Sequence, residues 1–211
     1  FNAFQLILAG NAEKTGTGLV FWDGITRKYI YAPINIEKNK WYHVAVTREA
    51  GKIKIYLDGS VVGSGVNESN FTVNNAYNIG FQNQSGLQRF FNGYMDDIRI
   101  TKGLARYITN FTPVEIPSIP KKTGDAQWSK VPLLLNANGT DGSKNFANLA
   151  PSSQNITASG DTKIATGQSK FGGASAYFDG DGDSLSASYH ENFNLRNQNF
   201  TIEGWSYVTS Y

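Results

Sequence analysis

The chain contains no cysteine, which excludes both a disulfide framework and a thiolate metal site. No apolar run approaches the roughly 20 residues that a membrane-spanning helix needs, so no membrane insertion is expected, and no signal-peptide pattern is present. Helical periodicity is missing throughout. Charge is scarce at 17% of residues, and Asn, Ser, Thr and Gly supply the polar surface. Lys and Arg (19) barely exceed Asp and Glu (17) and never form a run. Neither a nucleic-acid partner nor an acidic one is implied. A catalytic pattern is lacking too. No strand carries the closely spaced carboxylates that a glycosidase uses as nucleophile and acid. Glu203 stands alone on its segment, and His43 and His190 have no Ser or Cys arrangement beside them. The chain reads as a non-enzyme.

Hydrophobic residues make up 40% of the sequence, enough for a packed core. The clearest local signal is Trp41–Gly59. Its first arm alternates Tyr42, Val44, Val46 against Trp41, His43, Ala45, Thr47, and its second alternates Ile53, Ile55, Leu57 against Lys52, Lys54, Tyr56, Asp58. A period of two with Glu49-Ala50-Gly51 between the arms predicts a β-hairpin, apolar on one face and wet on the other. His43 is then a half-exposed strand residue. Asp58-Gly59 turns the chain into Val61-Val62. Further strands are expected at Phe4–Leu8, Leu19–Trp22, Tyr29–Tyr31, Tyr77–Phe81 and Phe90–Thr101. Polar loops are expected at Gly63–Asn70 and Gln82–Gln88, and Gly103–Tyr107 suits one helical turn.

Four of the six prolines, Pro113, Pro117, Pro120 and Pro132, fall between residues 113 and 132, which reads as a linker or strap. Beyond it, Val131–Leu135, Ile156–Ala158, Ala174–Phe178 and Phe200–Val208 are strand candidates between turn-rich loops. Short strands at this spacing predict an all-β, antiparallel jelly-roll β-sandwich.

Particular motifs sharpen this. Trp41-Tyr-His-Val-Ala-Val-Thr-Arg48, Ile55-Tyr-Leu-Asp-Gly59 and Phe91-Asn-Gly-Tyr-Met-Asp-Asp-Ile-Arg-Ile100 resemble the later strands of a laminin-G-like, concanavalin A-like lectin/glucanase module, of the kind found in phage and bacterial surface proteins. Leu133–Ser143, Lys170–Leu185 and Phe200-Thr-Ile-Glu-Gly-Trp-Ser-Tyr207 resemble its earlier strands. Residues 1–112 therefore read as the later half of a module, 113–132 as a linker, and 133–211 as an opening half. Either the chain is a window across two tandem modules, which is the favoured expectation, or the halves close on each other, or on another chain, as a permuted jelly roll. A half-sandwich alone exposes an apolar face and unpaired edges, so each half needs a complement.

The resemblance implies a non-catalytic module that binds cell-surface glycans, set on a virion appendage such as a phage tail fibre or on an extracellular surface. The alternative is a spacer or decoration domain that contacts neighbouring subunits and binds no sugar. Sugar binding uses aromatic faces among hydrogen-bonding side chains. Tyr56, on the wet face of the hairpin, is the leading candidate, with Trp22, Tyr31 and Tyr77, and Tyr29 beside them. For calcium, a hard cation that takes oxygen ligands, Asp179, Asp181 and Asp183 alternate with glycines, although a tight turn explains the same pattern. The resemblance also implies a site on the closing strand at Asp96 and Asp97, completed by the loop Asn136–Asp141. Asp141 is that loop's carboxylate.

Overall fold

A computed structural model describes residues 4–10, 17–72, 76–84, 86–115, 125–152 and 154–211. The first part of the chain forms β1 (Phe4–Gly10), β2 (Thr17–Asp23), β3 (Lys28–Pro33), β4 (Trp41–Glu49), β5 (Lys52–Leu57), β6 (Ser60–Val66), β7 (Tyr77–Ile79), β8 (Phe81–Gln84), β9 (Leu87–Phe90) and β10 (Asn92–Lys102). The second part forms β11 (Leu133–Leu135), β12 (Ile156–Ser159), β13 (Lys163–Ala165), β14 (Ser175–Asp179), β15 (Ser184–Ala187) and β16 (Phe200–Val208). Every strand pairing is antiparallel. Of the Pro-rich segment, residues 116–124 lie outside the described residues.

The eight-stranded sheet runs β13-β14-β10-β16-β4-β5-β6, with β11 also paired to β10. Strands from before and after residues 113–132 thus alternate in one sheet. β16 lies between β10 and β4, opposite Trp41–Arg48 on one side and Gly93–Lys102 on the other. The apolar faces that each segment would expose alone are covered within this chain. Two smaller sheets, β1-β2-β3 and β12-β15-β7, form the other layer. Between the layers one cluster joins Leu19, Phe21 and Ala32, Leu185 and Ala187, and Val44, Val46, Ile53, Ile55, Ile100, Phe178 and Phe200.

A bulge in β10 decides which side chains reach that core. Asp96 pairs with Trp205 and Arg99 with Glu203, so Asp97 and Ile98 together oppose Gly204. Asp97 takes the extra residue at φ 49°, the left-handed region that Asp tolerates better than most side chains. Met95 packs on the core before the bulge, and Ile98 and Ile100 do so after it. The added residue resets the alternation and leaves Arg99 on the outer face.

The hairpin at Trp41–Gly59 forms as read, but three local readings differ. Ser60–Val66 is one strand, where a loop was expected from Gly63. Gly63 and Gly65 are glycines because β3 crosses close above them: a Cβ at Gly65 would meet Ile30 Cδ1 at 2.9 Å. A sequence of Gly-Ser-Gly hides a strand whose side chains have no room. The expected loop at Gln82–Gln88 largely belongs to the β8–β9 hairpin. Residues 103–107 form no helical turn. They begin an irregular strap, residues 103–115, pinned where Arg106 N–H donates to Thr201 Oγ1 at 2.8 Å and Phe111 N–H to the Gly59 carbonyl at 2.9 Å.

Candidate functional site

The outer face of the large sheet divides in two. Where the strap crosses, side chains expected to be wet are buried. Tyr56 has no exposed surface. Its hydroxyl donates to the Tyr107 carbonyl at 3.1 Å, and its ring packs on Tyr107 and Phe111. Those two rings stack on each other with centroids 3.5 Å apart. Tyr56 is therefore no sugar platform, and His43, 5% exposed, is no half-exposed residue. The hairpin's polar-looking face attracted a cover because it carries Tyr56, Ala45 and His43 side by side.

Under the strap Glu203 is the hub of a charged cluster, not the solitary carboxylate expected. Arg99 reaches Oε1 through Nε at 2.9 Å and Nη2 at 2.8 Å. Tyr107 donates its hydroxyl to Oε2 at 2.7 Å, and His43 Nε2 lies 3.4 Å from that same oxygen. Burial works against the charge, but His43, Arg99 and Tyr107 win and hold the carboxyl down at about 2. Arg106, on the strap, links the hub to the second part of the chain, with Nε 4.0 Å from Glu203 Oε1 and Nη2 2.6 Å from Asp125 Oδ2. His43 Nδ1 is buried without a hydrogen-bond partner among the described residues. This arrangement locks a strap onto a sheet. A carboxylate sealed by Arg99, Tyr107 and His43 offers neither a nucleophile nor an open acid.

The six aspartates singled out as metal ligands do different work. Asp183 is fully buried; its Oδ1 accepts the Asp161 N–H at 2.5 Å and its Oδ2 the Asp179 N–H at 2.6 Å. Asp179 Oδ1 in turn accepts the Asp181 N–H at 2.8 Å. With Gly180 and Gly182 at φ 88° and 75°, the run is the β14–β15 turn, in which the Asp179 and Asp183 carboxylates accept backbone N–H groups. Asp141 Oδ1 accepts the Thr166 N–H at 2.9 Å. Asp96 accepts the N–H groups of Lys170 and Phe171 on Oδ2 and of Asp97 on Oδ1. Burial nevertheless pushes its carboxyl up to about 7. Asp97 sits next to the β11 end of the opening loop, because Ile98 pairs with Leu135. Among the described residues no three His, Cys, Asp or Glu side chains form a group that could hold a metal ion. Replacing Asp183 by Ala leaves two N–H groups without acceptors, a loss of about 2 kcal/mol and of about 4–8 °C in thermal midpoint. Calorimetry of the variant checks this.

Of the aromatic candidates, Tyr77 packs on Phe193 and donates its hydroxyl to the Phe193 carbonyl at 2.9 Å, a structural position. Trp22 and Tyr31 fare differently. Trp22 pairs with Tyr29, and Val20 with Tyr31, so Trp22, Tyr29 and Tyr31 share the outer face of β2–β3, opposite Leu19 and Phe21. Tyr29 is 54% exposed. A groove of about 320 Å³ runs beside them against β6, lined by Lys28, Tyr29, Tyr31, Ser64 and Asn67 among others. Asp23 braces its floor, accepting from Asn67 Nδ2 at 3.0 Å and Thr26 Oγ1 at 2.5 Å, and from Ser69 Oγ.

The sequence alone missed another set. Trp41, Tyr207, Tyr94 and Tyr177 stand in one row across four strands, on the part of the outer face that the strap leaves open. Each sits at an outward parity position in its own strand. Nothing in the sequence says that these positions align until the register is known.

A two-layer antiparallel sandwich with aromatic side chains among polar ones on its faces, and its main charged cluster sealed, has the build of a lectin-like binding module. Residues 2–104 match the laminin-G-type family model described as the concanavalin A-like lectin/glucanases superfamily. No curated protein and no solved structure matches the chain. Modules of this type suggest carbohydrate-binding or adhesion roles, are generally non-catalytic and are typically extracellular. Among the described residues no helix is long and apolar enough to cross a membrane.

Proposed function

We propose that this chain is a non-catalytic carbohydrate-binding and adhesion module, displayed on a virion appendage or cell surface, whose glycan site is the β3–β6 groove. The observation that carries this reading is the groove that Tyr29 and Tyr31 line with Ser64, Asn67 and Lys28, with Trp22 opposite Tyr29 on the same outward face. Tyrosine faces supply stacking area for a pyranose ring, and amide, hydroxyl and ammonium groups beside them select its hydroxyls. Asp23 holds the rim in place before ligand arrives, which lowers the ordering cost of binding. Substituting Tyr29→Ala with Tyr31→Ala is expected to weaken binding on a glycan array at least about tenfold, or 1.4 kcal/mol. Unchanged binding by a folded double variant overturns the assignment.

Calcium enters this reading through Asp97, next in sequence to Ile98, which pairs with Leu135 just ahead of the Asn136–Asp141 loop; a carboxylate and loop carbonyls are hard oxygen ligands of the kind the ion takes. Running the array with calcium and with chelator checks it, and equal affinities in both remove the ion from the account. A second reading, a spacer that contacts neighbouring subunits, draws on Val66, 72% exposed, and Ile25, 51% exposed, near the same groove. Concentration-dependent association abolished by Val66→Ser, with no glycan bound, favours it.

A further inference from the structure

The open half of the large sheet presents a feature separate from the groove. Register sets Tyr207 opposite Trp41, Tyr94 opposite Tyr207, and Tyr177 opposite Tyr94, with Lys163 opposite Tyr177. Ring centroids follow one another at 5.4, 5.8 and 5.0 Å, and Lys163 Nζ lies 5.7 Å from the last ring. The row crosses three strand-to-strand steps of about 4.8 Å, about 14 Å in all. All four rings are half-buried.

Polar groups edge the row on one side. Thr209 just past β16, Asn92 on β10 and Asp179 on β14 lie two residues from Tyr207, Tyr94 and Tyr177, at the same outward parity. They are tied together, since Asn92 Nδ2 donates to the Asp179 carbonyl at 2.6 Å and Thr209 Oγ1 to Asn92 Oδ1. On the other side Lys170 Nζ sits 3.9 Å over the Trp205 ring and 2.7 Å from Glu115, where the covered half begins. Lys163 and Asp179 give the border one charge of each sign.

We infer that this row is a second glycan-binding site, and that its ligand is a single, soluble, uncharged polysaccharide chain engaged over three or four successive sugars. Length follows from the row: each ring serves one sugar, and the site has no walls to trap a monosaccharide. Affinity must accumulate along one chain, each contact making the next intramolecular. Neutrality follows from the balanced border. The physical state follows from the tilts. Adjacent rings are inclined to each other by 54°, 79° and 44°, so they share no plane. A crystalline polysaccharide surface needs coplanar rings; a free chain, whose successive sugars rotate about their linkages, follows the corrugation.

Calorimetry of the whole chain with cello-, manno- and chito-oligosaccharides, from mono- to hexasaccharide, tests this directly. For the series that binds, Kd is expected to fall at least about tenfold from monosaccharide to tetrasaccharide and to change little beyond it. Trp41→Ala or Tyr177→Ala, at the two ends of the row, is expected to weaken the tetrasaccharide about tenfold and the disaccharide less, while Ile108→Ala, an exposed position on the strap, leaves both unchanged. Wild-type length dependence needs no variant, so a folding failure in Trp41→Ala does not blunt the test. Length-independent binding overturns the inference, as does preference for insoluble cellulose or chitin over soluble chains. Loss of all binding in Tyr29→Ala alone overturns it while upholding the groove. A dimer in solution that Trp41→Ala dissolves assigns the row to a second copy and overturns it. Binding by no series, with array binding still present and sensitive to Tyr29, overturns this site and not the first.

Discussion

Glu203→Ala lowers the thermal midpoint by roughly 6–20 °C, the expected consequence of removing the buried partner of Arg99 and His43 at a cost of about 3–5 kcal/mol. Arg99 loses both of its carboxylate contacts and Tyr107 its acceptor, while all remain beneath the strap. Glu203→Gln keeps the shape and a neutral acceptor, so its loss is smaller. The acid limb separates charge from packing. Held at about 2 in the fold and near about 4.3 in an unfolded chain, this carboxylate contributes stability that is fully present above about pH 4.3. That contribution is lost as pH falls through about 2. Asp96, pushed up to about 7, runs the other way: its contribution is full below about pH 3.9 and is lost as pH rises through about 7. Urea midpoints of wild type and Glu203→Gln across the acid range give the answer. Wild type is expected to lose stability more steeply below about pH 4; parallel curves mean that the Glu203 charge is not what holds the strap.

Inserting one alanine between Ile98 and Arg99 is expected to abolish folding. The bulge at Asp97 is what turns Ile98 inward, and β10 alternates regularly from there. The added alanine takes the outward place of Arg99, so Arg99 enters the core and Ile100 faces outward. A one-residue slip turns every following side chain to the opposite face. Burying an unpaired guanidinium while exposing Ile100 exceeds the roughly 5–15 kcal/mol by which domains are stable. Failure to recover soluble protein with a cooperative melt is the expected result. Asp97→Gly is the control, since it keeps the bulge and its left-handed backbone. An insertion variant that melts like wild type shows that the register can repair itself with a second bulge.

Legibility differed with the range of the interaction. Strands whose own side chains alternate, such as β4 and β5, were readable because the period of two is local. β6 was read short, since its glycines answer to Ile30 and Ala32 on a strand far off in sequence. The aspartates of the 179–183 run look alike in a string. Their roles as turn acceptors follow from Asp161 and Asp179 N–H groups that the fold brings to Asp183. Tyr56 was misjudged for the same kind of reason. Its parity was right, and the outer face at that point is not solvent but Tyr107 and Phe111.

By itself the sequence determined the class of fold, the existence of the hairpin, the need of each segment for a complement, and the family resemblance that residues 2–104 bear out. These rest on periodicity, turn residues and short motifs, each contained within a few neighbouring positions. Only the tertiary structure decided what covers what. It set β16 between β10 and β4, closed the strap over Glu203, and drew four aromatic rings from four separated strands into one row. Those outcomes depend on register and layer packing, where a one-residue shift changes every contact, and no local pattern encodes them.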